Sequence, residues 1–171
     1  MKKLLILSSV IVLLFSAFTN SDTSKIPAAA LKNAEGKPVN SNTFTNKGKP
    51  MIISFWATWC KPCKMELDAI NAKYAELQKE TGVKLIAVSI DDSRFSARAV
   101  AEIKSKGWLY ECYLDEDKNL MKAMNIENVP YTVLVDGNDT IVWTHSGYKE
   151  GDELELFENV RKLAKGESLA H

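Results

Sequence analysis

Apolar residues form two kinds of pattern along this chain, compact runs and stretches with helical spacing. Compact runs occupy residues 51–56 and 83–90, and runs of this length predict buried strands. Between them, apolar residues recur at near-helical spacing, which predicts a helix that begins at or near Pro62 and ends at Gly82. The residues of this apolar stripe are Leu67, Ile70, Tyr74 and Leu77.

Later segments continue the alternation of strand and helix. Residues 91–93, Asp-Asp-Ser, are predicted to cap a helix with one apolar side. Residues 111–114 and 120–124 predict a short strand and a short helix, and residues 152–164 predict a last helix. The apolar side of the capped helix contains Phe95, Ala99, Val100 and Ile103.

Two hairpins complete the predicted elements. Residues 131–135 and 141–144 flank the turn sequence Asp-Gly-Asn-Asp at 136–139, and residues 31–33 and 38–39 form a small hairpin near the N-terminus. We therefore expect an α/β fold, with a central mixed β-sheet flanked by helices on both faces and a short N-terminal β-hairpin extension.

The N-terminus has the layout of an export signal. Two lysines precede the apolar stretch at residues 4–18, and polar or small residues follow at 19–22. This pattern predicts a signal peptide over residues 1–21 and one domain over residues 22–171. An uncleaved anchor is the alternative, because the cleavage signal is imperfect, although the apolar run is short for a membrane span.

Charge excludes some classes of partner. The chain has 22 basic and 22 acidic residues, and removal of the signal takes away two lysines, which leaves 20 bases against 22 acids. A net charge near −2 without a basic cluster gives no electrostatic reason to expect binding to nucleic acid or to anionic membranes. Export would place the protein in an oxidising compartment, such as a bacterial periplasm or a comparable extracytoplasmic space.

The candidate chemistry lies in a pair of cysteines. Cys60 and Cys63 stand three residues apart where the strand at 51–56 gives way to a helix, and such a pair can open and close a disulfide. Helix N-termini stabilise anions, so Cys60 is the expected nucleophile and Cys63, one turn inward, the expected resolving thiol. Pro62 suits the first helical turn, and the charge of Lys61 either lowers the Cys60 pKa further or is simply solvated.

Other uses of the cysteines fit the sequence less well. Structural zinc needs four ligands, and no second pair stands at matching spacing; covalent haem would need histidine where Lys64 stands. A purely structural disulfide would constrain the unfolded chain little across so short a loop. We therefore expect no cofactor beyond the redox-active disulfide and no metal. Cys112 is expected to be a small buried hydrophobe, with a regulatory or intermolecular thiol as the alternative.

The residues around the dithiol resemble a known family. Residues 55–64, Phe-Trp-Ala-Thr-Trp-Cys-Lys-Pro-Cys-Lys, together with Val129-Pro130 and Val135-Asp136, resemble the thioredoxin fold, specifically the TlpA/ResA-like branch of exported thiol-disulfide oxidoreductases. The resemblance covers roughly residues 31–164. It implies that Pro130 is a cis-proline beside the dithiol and that Val129 offers backbone hydrogen bonds to a bound substrate segment.

The same resemblance gives Glu66 a role. Glu66 follows Cys63 by three residues, so its carboxylate should point to the same side of the helix, and the family uses a glutamate here to tune or relay protons. A solvated surface acid is the alternative. Ser54 stands where cytoplasmic thioredoxins have a buried aspartate. Trp56 and Trp59 are expected to line the site and shield the sulfurs, and Trp59 is also expected to contact substrate. Tyr131 departs from the small residue or threonine that is common after the proline in this family.

We therefore expect an extracytoplasmic thiol-disulfide oxidoreductase. The resemblance favours a reductase that acts on protein disulfides, for example on apocytochrome c in cytochrome c maturation, with electrons from a membrane donor. A disulfide-forming oxidase is one alternative, since direction depends on reduction potential. A copper-binding or copper-delivery module is another, in which His145 would be the proposed histidine ligand. A peroxidase would present a lone peroxidatic cysteine in its own motif, which this chain does not.

Overall fold

The computed structural model describes residues 25–169, so the predicted signal peptide lies outside the described residues. Seven strands and four α-helices follow one another along this part of the chain. The strands are β1 (Ala30–Asn33), β2 (Pro38–Asn40), β3 (Met51–Trp56), β4 (Lys84–Ser89), β5 (Glu111–Leu114), β6 (Tyr131–Val135) and β7 (Ile141–Ser146). The helices are α1 (Lys61–Thr81), α2 (Ser96–Lys106), α3 (Asn119–Ala123) and α4 (Asp152–Ala164).

All seven strands belong to one mixed sheet, in the order β2-β1-β5-β4-β3-β6-β7. The neighbours β3, β4 and β5 are parallel, because a helix crosses over between each pair, whereas β6 and β7 form an antiparallel hairpin on the other side of β3. The β1–β2 hairpin extends the sheet antiparallel to β5. The predicted mixed sheet with helices on both faces and an N-terminal hairpin is confirmed.

The core is built around the central strand β3. Every residue of β3 is buried, as expected for a strand paired on both edges and covered on both faces. Helix α1 lays its predicted apolar stripe on this sheet and also contacts α4. It ends at Gly82, whose left-handed backbone (φ 68°) lets its N–H bond the Gln78 carbonyl at 2.7 Å.

The prediction for the start of α2 was wrong in one respect. No side chain caps this helix, which begins after Phe95. The Asp92 carboxylate accepts hydrogen bonds from Arg94 instead, while the Asp92 carbonyl accepts the N–H groups of Phe95 and Ser96. Asp91 points into the protein, where it is 2% exposed. Its carboxylate binds groups beside the dithiol and is therefore not available to the helix end.

Candidate active site

The dithiol lies at the junction of β3 and α1. Cys60 occupies the N-cap position of α1, and its Sγ accepts the N–H of Cys63 at 3.3 Å. Cys60 and Cys63 are joined in a disulfide, with exposures of 5% and 0%. Pro62 stands in the first turn, where its missing N–H costs no hydrogen bond. A thiolate released at Cys60 would therefore meet the unpaired N–H groups and the positive end of the helix dipole.

A second part of the chain closes the site. The Val129–Pro130 peptide bond is cis, as the resemblance implied. Pro130 is buried, and the Val129 carbonyl oxygen lies 3.7 Å from Cys60 Sγ. Two segments that are 69 positions apart in the chain therefore meet at Cys60 Sγ. The structure brings the predicted Val129 and Pro130 directly to Cys60.

Glu66 is buried beneath the helix rather than solvated. It is 4% exposed, and it lies one turn after Cys63 on the inner side of α1. Its two carboxylate oxygens accept hydrogen bonds from Ser54 Oγ at 3.2 Å and from Thr132 Oγ1 at 2.8 Å. Burial raises the pKa of Glu66 to about 7, against the smaller opposing effect of the two hydroxyl groups. The carboxyl group can therefore change its protonation state near neutral pH.

The two residues that hold Glu66 are not predicted by the sequence. Ser54 and Thr132 are cross-strand partners on β3 and β6, and both donate their hydroxyl hydrogens to Glu66. From the sequence alone, Ser54 is only the replacement of an aspartate, and Thr132 has no predicted role. The available signal was that each is the only serine or threonine of its strand. Knowing that the two are paired required the strand register.

The two tryptophans of the motif differ in position. Trp59 is 66% exposed beside Cys60, so most of its surface is open to solvent. Trp56 is fully buried at the end of β3 and meets Trp108 edge to face, with ring centroids 5.0 Å apart. Trp56 is thus a core residue, while Trp59 is placed where a substrate could touch it.

Cys112 and His145 lie outside the disulfide, but His145 is the cross-strand partner of Thr132 and is one of the smaller influences that lower the Glu66 pKa. Cys112 is buried in β5, and burial, with a smaller contribution from Glu111, raises the pKa of its thiol to about 12. His145 Nε2 lies 3.2 Å from Asp152 Oδ2. Within residues 25–169, no group of three or more histidine, cysteine, aspartate or glutamate side chains is placed to hold a metal ion. None of the helices over these residues combines the length and the apolar character that a membrane span requires.

Comparison with known proteins agrees with this geometry. The family model described as AhpC/TSA matches residues 23–144, which is most of the chain. The chain belongs to the AhpC/TSA family. Thiol-disulfide oxidoreductase ResA of Bacillus subtilis (strain 168) is 29% identical over 127 residues, which cover 74% of this chain and 68% of that relative.

Solved structures extend the likeness of this AhpC/TSA family member. A thioredoxin-like protein from Porphyromonas gingivalis is 50% identical, with a TM-score of 0.73, over 85% of this chain and 95% of that one. StoA from Bacillus subtilis is 26% identical, with a TM-score of 0.58, over 78% and 97%. Together with the Cys60–Cys63 disulfide, these relatives show a ResA-like enzyme of thioredoxin fold with thiol-disulfide oxidoreductase activity.

Proposed function

We propose that this enzyme acts outside the cytoplasm as a reductase of protein disulfides, with Cys60 as nucleophile, Cys63 as resolving thiol and Glu66 as the proton-handling group. The observation that carries the direction is the buried Glu66 carboxyl group on the Cys63 side of α1. The ionised carboxylate repels a thiolate nearby and so disfavours the reduced dithiol. In a strongly oxidising enzyme the reduced form is instead the stabilised one, so Glu66 favours the reductase direction.

The proposed reaction has two exchange steps. The Cys60 thiolate attacks one sulfur of a substrate disulfide, which forms a mixed disulfide and releases the first substrate thiolate. Cys63 then gives its proton to the Glu66 carboxylate and attacks Cys60 Sγ, which releases the second substrate thiolate. Two electrons pass to the substrate, and the enzyme returns to the Cys60–Cys63 disulfide. A donor of two electrons must reopen that disulfide before the next turnover.

Three residues are proposed to bind the substrate segment. Trp59 offers an exposed aromatic surface next to Cys60, and Pro130 lies beside the same sulfur. The Val129 backbone offers polar groups to an extended peptide chain passing over the dithiol. Substrate binding here would bring a protein disulfide to the buried sulfurs without a large rearrangement, because Cys60 retains a small exposed surface of 5%.

The cellular setting rests on the N-terminal sequence and the resemblance. The lysines and apolar run of the first 18 residues support export. The TlpA/ResA-like resemblance supports apocytochrome c as a substrate and a membrane protein as electron donor. A dithiol alone suffices for this exchange, so we propose no further cofactor.

Equilibration of the purified dithiol with glutathione buffers tests the direction. A reductase should show a reduction potential of roughly −250 mV or lower, whereas strongly oxidising dithiols lie near about −120 mV. The reduced fraction can be measured by acid quenching, alkylation of free thiols and mass spectrometry. The Cys112→Ala variant serves as the matched control, since it leaves the pair as the sole thiols. A potential near the oxidising value overturns the reductase assignment.

A further inference from the structure

Thr58, in the loop between β3 and Cys60, has every polar atom occupied. The side chain is 3% exposed. Its Oγ1 donates to Asp91 Oδ1 at 2.7 Å, its N–H donates to Asp91 Oδ2 at 2.9 Å, and its carbonyl accepts from Lys64 Nζ at 3.0 Å. A loop residue two positions before the nucleophile is therefore held from two sides.

Asp91 provides the first side of this arrangement. It is 2% exposed at the end of β4, and Ser89 Oγ also donates to its carboxylate, at 2.8 Å. Two of its three donors therefore come from Thr58. A buried carboxylate without such donors would be strongly unfavourable. The hydrogen bonds to Asp91 therefore hold the loop against the segment that follows β4.

Lys64 provides the second side. It lies in the first turn of α1, directly after Cys63, and its Nζ is also 3.1 Å from Glu102 Oε1 on α2. The ammonium group thus joins the Thr58 carbonyl to a second helix. Through Asp91 and Lys64, the loop before Cys60 is fixed to three separate elements, β4, α1 and α2.

We propose that Asp91 and Lys64 clamp Thr58 and thereby position Cys60 at the N-terminus of α1 when the disulfide is open. Asp91, Lys64 and Thr58 are positioning residues, and their effect on turnover rests on the function proposed above. In the oxidised protein the bond to Cys63 itself restrains Cys60. After reduction that restraint is gone, and the loop must keep Sγ within reach of the Cys63 N–H.

The turn before Cys60 explains how the clamp acts. The Cys60 N–H donates to the Ala57 carbonyl at 3.0 Å, so Thr58 lies inside the turn that presents Cys60 to the helix. Stabilisation of an anion by a helix end falls off within the first turn. A loop that loosens on reduction would let the thiolate drift from that position, which would raise the Cys60 thiol pKa.

Thr58→Val tests the clamp by removing one hydroxyl while keeping the charges of Asp91 and Lys64. We expect the Cys60 thiol pKa to rise by about half a unit, which is a fall of roughly three-fold in alkylation rate at a pH below that pKa. The rate at Cys60 is followed in the reduced protein by mass spectrometry across a pH series. Thr58→Ser restores the hydroxyl and should restore the wild-type profile.

Thr81→Val is the matched control at the opposite end of α1. Thr81 is also buried, and its hydroxyl donates to the Leu77 carbonyl at 2.7 Å and accepts the Val83 N–H at 3.2 Å, so this variant loses the same atoms at the end of α1 that is far from the dithiol. It should lower thermal stability to a comparable degree without moving the Cys60 pKa. Equal Cys60 profiles in Thr58→Val and Thr81→Val would refute the clamp.

A measurement on the unmodified protein covers the case in which Thr58→Val does not fold. Amide hydrogen exchange should find the Thr58 N–H protected in both the oxidised and the reduced protein. Fast exchange of this amide on reduction overturns the proposal. The Cys60 alkylation profile and the Thr58 amide exchange are both independent of turnover. If they refute the clamp, the reductase proposal still stands. If the reduction potential proves oxidising, these two measurements still decide whether the clamp exists.

Discussion

Cys63 and Cys112 are both buried thiols in one sheet-and-helix core, yet they occupy opposite chemical environments. Cys63 lies in the first turn of α1, is bonded to Cys60 and has Glu66 one turn away on the same helix. Cys112 lies in β5 between β4 and β1, and its Sγ has only the Tyr110 carbonyl at 3.6 Å as a polar partner among the described residues.

This comparison shows that burial alone does not make a sulfur reactive. Burial raises the pKa of Cys112 to about 12, which leaves almost no thiolate at neutral pH. At the start of α1, burial is combined with the donors of a helix N-terminus and with a second sulfur. The position within the secondary structure therefore separates the redox pair from the structural cysteine.

The largest expected effect comes from removing the redox sulfurs. Cys60→Ser and Cys63→Ser should each lower disulfide reductase turnover by about 10⁴-fold or more, since each removes a group that forms a covalent bond during exchange. Cys63→Ser should also accumulate a mixed disulfide at Cys60, visible as a mass increase on non-reducing analysis. Cys112→Ala should keep wild-type turnover; a large loss in that variant would break the comparison.

A smaller effect concerns the reactivity of the two kinds of thiol. With a pKa near 12 instead of the ordinary 9.0, Cys112 should carry roughly 1,000-fold less thiolate than a solvated cysteine, and should be alkylated more slowly by about that factor. Iodoacetamide labelling of the folded, reduced protein with peptide mapping measures this. Labelling in denaturant gives the reference rate, and rapid native labelling of Cys112 would contradict its burial.

The smallest of these effects concerns Glu66 and pH. Because its pKa is raised to about 7, the carboxyl group is mostly neutral below that pH and becomes an available base above it. Resolution of the mixed disulfide by Cys63 should therefore accelerate as pH rises through 7. Glu66→Gln should remove this inflection and slow resolution at pH 8 by roughly 100-fold.

Stopped-flow measurement of product release after rapid formation of the mixed disulfide gives the resolution rate. Glu76→Gln is the control, since Glu76 lies on the same helix with its side chain 76% exposed. If Glu66→Gln keeps both the wild-type rate and the wild-type pH profile, the proton-handling role is lost, and Glu66 is left as a buried hydrogen-bonding residue.

Much of the fold could be predicted because its elements carry strong local signals. The apolar run at β3, the stripe of α1 ending at Gly82, and α4 over Asp152–Ala164 were all predicted and found. The failure at the start of α2 has a physical cause. An aspartate before a helix is a sound capping signal, but Asp91 instead binds Thr58, to which nothing in the local sequence pointed.

The sequence by itself determined the dithiol, its place at the start of a helix and the elements that surround it. These follow from spacing and apolar period, which act between residues close in the chain. Only the tertiary structure decided which polar groups meet across the chain. Ser54 and Thr132 reach Glu66 through the register of β3 and β6, and Asp91 reaches Thr58 through the packing of β4 beside β3. Such contacts depend on how strands and helices pack, and this is where the pKa of Glu66 and the position of the loop before Cys60 are set.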